Sequence, residues 1–184
     1  HGIQLVGTSF TGTFSASEGM LSNHSVAELD LNGGAGTVGY AGSIGNGSGL
    51  SALISNRTGG TVTLSGDITD TNDVDGGISI TSNSGGTITF SGVNNVLNSG
   101  VANALQISGT AGTVNFSGNL DINTTSGTGI SVASSSANVN FTGSQITVNA
   151  TGVGAGIGLT GNSGTVAFNN TGNGLDIVTA TGTG

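Results

Sequence analysis

Cysteine is absent from the 184-residue chain, so neither a disulfide framework nor a thiolate metal site is available to it. Proline is absent too, and every backbone N–H past the first residue can donate, as continuous strand ladders require. There is no lysine, and Arg57 is the single cation against nine carboxylates, a formal charge of −8. Phosphate recognition needs clustered Lys and Arg, which excludes nucleic acid as a partner. An anionic membrane surface would repel such a chain, and no apolar run approaches the length of a transmembrane helix, so membrane insertion is not expected. Neither end carries a charged and then apolar targeting segment, and the chain starts at His1, as a processed protein or an excerpt would.

What is abundant is glycine, 37 residues of it, together with serine, threonine and asparagine. Such a composition also suits disorder, but here the apolar residues fall at fixed places in a repeat. Gly112-Thr-Val-Asn-Phe-Ser-Gly118 has close copies at Gly36, Gly60, Gly86, Ala137 and Gly164, and a degenerate one at Thr8-Ser-Phe-Thr-Gly12. The large residue of each falls at Phe10, Tyr40, Leu64, Phe90, Phe116, Phe141 and Phe168, a nearly constant interval of the length that marks a solenoid or array. Within each copy apolar and small polar residues alternate, as in Val62 and Leu64 against Thr61 and Thr63, the period of a half-buried strand.

Two further short strands follow in each unit, so one unit makes one coil of three strands and three turns. The chain is therefore expected to be all-β, a right-handed parallel β-helix of about seven coils of ~26 residues, each stacked ~4.8 Å above the last. The hand follows from the general bias of parallel crossovers. Residues 1–184 read as one β-solenoid domain that begins and ends mid-coil.

In chain order, Ile3 and Leu5 belong to a third strand whose first two partners are missing, and Ser17 to Asn23 reads as an enlarged corner loop. The second strand around Ile44 is expected to be weak, because glycines surround it. Later second strands are marked by Ile68, Val96, Leu120 with Ile122, Ile146 with Val148, and Leu175 with Ile177. Third strands are marked by Ile78 with Ile80, Leu105 with Ile107, Ile130 with Val132, and Ile157 with Leu159. A full coil thus offers about six inward side chains, each worth roughly 1.5 to 3 kcal/mol on full burial.

The last coil stops where a third strand would begin, and the first residues supply that strand. Gly184 followed by a second copy's His1-Gly-Ile-Gln-Leu5 reads like Thr128-Gly-Ile-Ser-Val132, and the interval from Phe168 to the next Phe10 is again the ordinary one. The expected partner is the chain itself, head to tail, with Gly2, Ile3 and Leu5 meeting Leu175, Ile177 and Gly184, either as an open filament or as tandem units of a longer chain.

The recurring Gly-Thr-Val-x-Phe-Ser-Gly, followed by Leu-Asp-Ile and Gly-Ile-x-Val, resembles the repeats of large bacterial surface proteins, the β-helical autotransporter passengers and filamentous-haemagglutinin-like adhesins. The resemblance implies a secreted protein displayed outside the cell or on its surface, with a structural or adhesive role. Family secretion signals and a translocator barrel do not appear in the chain.

Several stretches could carry chemistry. Asp70, Asp73 and Asp75 crowd one corner like part of a calcium loop of EF-hand type, but Thr71 stands at its first ligand place and Ser82 where its bidentate Glu belongs; a solvated acidic corner is the plainer account. No other cofactor is implied. Asp121 and Asp176 stand at equivalent places two coils apart, ~9.6 Å by the stacking rise, near the separation of an inverting glycosidase pair. With Asn and Ser as neighbours and no cation at hand, polar strand residues explain them better, and no catalytic residue is assigned. His24 is expected to be solvated. Thr37, Thr61, Thr63, Thr87, Thr89, Thr113 and Thr165 make a partial ladder like those of ice-binding faces, interrupted at Asn115, Asn138, Asn140 and Ala167. Asn-x-Ser/Thr sequons at eight places follow from composition, and stacked Asn ladders are a better use of those residues. The expected function is a building block of an extracellular fibre, sheath or stalk, with a glycan-binding adhesin module, its loop at Ser17 to His24, as the alternative.

Overall fold

The computed structural model describes residues 1–71 and 74–180. Among them the chain forms β1 (Ile3–Val6), β2 (Thr13–Ala16), β3 (Met20–Ser22), β4 (Ala27–Asn32), β5 (Thr37–Tyr40), β6 (Ser43–Asn46) and β7 (Leu50–Ser55). It continues through β8 (Thr61–Leu64), β9 (Ile68–Asp70), β10 (Ile78–Thr81), β11 (Thr87–Phe90), β12 (Asn94–Asn98), β13 (Leu105–Ser108) and β14 (Thr113–Phe116). The remainder is β15 (Asn119–Thr124), β16 (Ile130–Ala133), β17 (Asn138–Phe141), β18 (Gln145–Ala150), β19 (Ile157–Thr160), β20 (Val166–Phe168) and β21 (Gly174–Thr179). Every third strand pairs in parallel, giving three seven-stranded sheets that begin with β1, β2 and β3. This is the expected β-solenoid of about seven coils.

Register turns the sequence repeat into columns along the axis. In the first sheet Ile3, Leu29, Ala52, Ile78, Leu105, Ile130 and Ile157 stack, beside the column of Leu5, Leu31, Ile54, Ile80, Ile107, Val132 and Leu159. The second sheet stacks the rings of Phe90, Phe116, Phe141 and Phe168 with centroids 4.7, 5.1 and 4.6 Å apart and nearly parallel planes. Offset stacking at the coil spacing is the one arrangement that lets identical rings share a column without a gap. Residues of the middle coils in these columns are almost fully buried.

The first sheet leads into the second through a left-handed residue in coil after coil: Gly33, Asn56, Ser82, Gly109, Ser134 and Gly161 all have positive φ. Glycine takes that conformation freely and asparagine tolerates it, so the corner recurs although its sequence does not. One residue further on, Gly34, Arg57, Asn83, Thr110, Ser135 and Asn162 form a column of their own, buried from Arg57 to Ser135. Asn83, Thr110 and Asn162 donate to the carbonyls of Ile54, Ile80 and Val132 in the preceding coil, at 3.2, 3.3 and 2.7 Å. Arg57 donates to the carbonyls of Gly33, at 3.0 Å, and of Gly36, on either side of Gly34. Burial lowers the basicity of its guanidinium.

Four expectations need correcting. The first copy of the repeat is Gly12-Thr-Phe-Ser-Ala16: Phe14 pairs with Val38 and Ala16 with Tyr40, while Phe10 lies in the preceding corner with its ring against Gly36. The Ser17–Asn23 stretch contains β3, because Leu21 is inward and its neighbours pair with β6, so it is not simply a loop. The second strand around Ile44 is well formed, since one isoleucine at the inward place is enough and Gly45 faces outward. Val96 faces outward; it pairs with Asp121, and the inward residues of β12 are Asn95 and Leu97.

Candidate assembly faces

The two end coils differ from the rest in one respect: each has a neighbour on one side only. At the first face Ile3, Leu5, Phe14, Ala16 and Leu21 pack on the core but are only half buried. At the last face Ile157, Val166, Phe168 and Ile177 are half buried, and Leu159 and Leu175 are 51% and 38% exposed. The same columns in the middle coils exclude water. Strands β1, β2 and β3 at one end and β19, β20 and β21 at the other have one open edge each. Phe168 stacks on Phe141 and offers its other side outward. Open parallel edges beside partly exposed apolar columns are templates for another strand.

Of the residues expected at a join, Ile3 and Leu5 sit on the first face, and Leu175 and Ile177 on the last. Gly2 is fixed by its N–H to the Ala27 carbonyl at 3.2 Å, and a Cβ there would crowd the Glu28 carbonyl at 2.6 Å. Gly184 lies outside the described residues. Register also corrects the closing step, because Ala16 and not Phe10 stands in the column of Phe168.

The first face also holds the chain's two histidines, each against a carboxylate of β4. His24 Nδ1 lies 2.5 Å from Glu28 Oε2, and the His24 N–H donates to Glu28 Oε1 at 2.9 Å. His1 Nδ1 lies 3.4 Å from Asp30 Oδ2, to which Gln4 Nε2 donates at 2.9 Å. Glu28 is fully buried and Asp30 nearly so. His24 is thus not merely solvated. Burial first, and the Glu28 charge second, push the Tyr40 phenol above its ordinary range. Sequence reasoning missed Glu28 and Asp30 because Glu-Leu-Asp-Leu has the plain alternation of a strand. The usable signal was His24, one helical-turn spacing ahead of Glu28 in a stretch that is not helical.

The other singled-out residues are scattered. Asp70 is buried and faces inward beside Asn46, whose Nδ2 lies 3.4 Å from it; Asp75 is exposed, and Asp73 lies outside the described residues. No group of three His, Cys, Asp or Glu suited to a metal occurs among the described residues. Asp121 and Asp176 both face outward on the third sheet, with Thr147 between them. Asn ladders do form: Asn123 and Asn149 donate down the column Asn98, Asn123, Asn149 at 2.8 and 3.0 Å, and Asn140 donates to Asn115 at 3.0 Å. No helix is long and apolar enough to cross a membrane among the described residues. No protein-family model, curated protein or solved structure matches the chain, so its functional reading rests on the solenoid and its two faces.

Proposed function

We propose that the protein is a structural building block of an extracellular bacterial fibre, sheath or surface stalk, assembling by end-to-end continuation of its β-helix. The observation that carries this reading is the pair of end faces, each with three open strand edges and core columns that are less covered than in the middle coils. A further coil laid on either face extends the backbone ladders and buries Leu159, Leu175 and the Phe168 ring. The occupant is a second copy, as in a filament, or a tandem unit of a longer chain. The resemblance of the repeats to β-helical passengers and haemagglutinin-like adhesins supports display outside the cell. Strands lie across the axis and ladder bonds along it, so load must be passed coil by coil.

Electron microscopy and sedimentation of the purified 184-residue chain test the proposal. Filaments with an axial period near ~34 Å, from seven coils at ~4.8 Å, are expected. Discrete rods that stay monomeric at high concentration would overturn end-to-end assembly and bring the adhesive reading forward.

A further inference from the structure

Asn95 is out of place. Its inward column on the third sheet reads Leu21, Ile44, Ile68, Asn95, Leu120, Ile146 and Leu175, six aliphatic side chains and one carboxamide. It is 3% exposed. Its Nδ2 donates to the carbonyls of Gly92 and Asn119, at 3.0 and 3.1 Å, but its Oδ1 has no hydrogen-bond partner. A buried acceptor left unpaired is costly, and aliphatic residues fill this place in every other coil. Asn95 also borders a surface groove of about 360 Å³, with Asn94, Val96, Asn119, Asp121, Gln145 and Thr147, although its unpaired Oδ1 is itself buried away from solvent.

We propose that this groove binds a neutral oligosaccharide laid over β12, β15 and β18. Its chemistry selects that class. Asn119 Oδ1 is already engaged, accepting from the Ser144 hydroxyl at 2.7 Å and the Gln145 N–H at 3.1 Å, so Asn119 Nδ2 is left to donate outward. Gln145 Nε2 donates to the Thr147 hydroxyl at 3.3 Å, which leaves Gln145 Oε1 to accept. A fixed donor and a fixed acceptor on adjacent coils, ~4.8 Å apart, suit the hydroxyls of a sugar ring. Asp121 adds a charged acceptor beside them and Val96 a small apolar surface. Anionic sugars and phosphates are disfavoured, since Asp121 repels them and the only cation of the chain, Arg57, is buried.

Pockets for small ligands span roughly 300–1,000 Å³, so this one holds one or two rings. A second dent of about 210 Å³ beside Asn98, Asn123 and Thr151 lies further along the same strands and extends the track. No aromatic platform lies in either groove, and affinity must come from hydrogen bonds. Binding is accordingly weak for a single short chain, in the range of about 1 mM, and strengthens where many coils face one polysaccharide.

Saturation-transfer difference NMR on the wild-type chain with cellohexaose, maltohexaose and chitohexaose, and with hexagalacturonate as the charged control, tests the site. The method reads the sugar protons and works on monomers and filaments alike. The groove is on the flank, so end-to-end stacking leaves it open, and failure of one proposal is separable from failure of the other. Transfer to at least one neutral hexasaccharide and none to hexagalacturonate is expected. Asn119→Ala with Gln145→Ala should weaken binding at least about tenfold, with some loss of melting temperature because Asn119 Oδ1 also holds the Gln145 N–H, and Asp121→Ala alone should weaken it in a protein whose packing is untouched. Asn115→Ala, on another sheet, should have no effect. Absence of transfer from all three neutral sugars, equal transfer from hexagalacturonate, or transfer unaltered in both groove variants would overturn the proposal.

Discussion

Replacing Phe116 by alanine isolates the contribution of the aromatic column. Phe116 is 1% exposed and lies between Phe90 and Phe141, with centroids 4.7 and 5.1 Å away. Truncating a buried phenylalanine costs about 3–5 kcal/mol, cavity included. Each stacked pair adds about 0.5–1.5 kcal/mol beyond burial, and two pairs are lost, which puts Phe116→Ala at the upper end, about 5 kcal/mol. Phe168→Ala loses one pair from a half-buried ring, and about 2 kcal/mol is expected for it. Phe116→Leu should recover most of the difference, because Leu64 already occupies this column two coils below. Guanidinium unfolding followed by circular dichroism gives the three values. Hydrogen exchange should show the loss concentrated in β11, β14 and β17, since coils are coupled to their neighbours. Equal costs for Phe116→Ala and Phe168→Ala would refute the argument from stacking and burial.

Other consequences can be measured separately. Arg57 is the only trypsin site and is 2% exposed, so the folded chain should resist trypsin, while the denatured chain is cut once, after Arg57, into a short N-terminal and a long C-terminal piece. Cleavage of the native protein as fast as of the denatured one would refute this burial. The Tyr40 phenol is raised in the folded state, so the fold holds that proton more tightly; the corresponding stability is whole below about pH 10 and is lost as pH rises through the folded value. Tyr40 is the only tyrosine and there is no tryptophan, so phenolate absorbance reads it directly, and Tyr40→Phe should flatten the alkaline limb of stability. A Cβ on Gly118 would run into the Gly92 carbonyl oxygen of the coil below, whereas one on Gly45 meets open space. Gly118→Ala should therefore cost about 1–3 kcal/mol and Gly45→Ala no more than about 0.5 kcal/mol, by the same unfolding assay.

The coil was legible because one strand in each unit carries a motif, and period-two alternation assigns its faces without tertiary knowledge. Legibility failed where that alternation was broken by polar residues turned inward. At Asn94-Asn-Val-Leu the eye takes Val96 as the buried residue, but register with Leu120 and Ile122 demands Asn95 and Leu97. Phe10 misled for the opposite reason: a phenylalanine at nearly the repeat spacing looks like a core residue, and only pairing with β5 shows that Phe14 and Ala16 hold the strand. The end faces were visible in the sequence as incomplete coils. The buried acids beside His1 and His24 were not, because Asp30 takes an outward strand position, which is assumed wet, and Glu28 stands fully buried against His24 where an apolar residue would be expected. Nor could the groove at Asn95 be read, since only the register of β15 with β18 brings Asn119 and Asp121 beside Gln145.

A chain of nearly interchangeable coils faces a danger that a globular domain does not, which is slipping by one whole turn and still pairing well. The corner column headed by Arg57 works as a set of address labels against it. The guanidinium spans Gly34, bonding the carbonyls on either side, and only a glycine fits there, since a Cβ would run into the Phe10 carbonyl. Shifted up the stack, it would meet a corner already filled by Asn83, Thr110, Ser135 or Asn162, each tied to its own carbonyl or neighbour. One residue with a long reach and one with no side chain thus number the coils, and the rest of the stack must count from there.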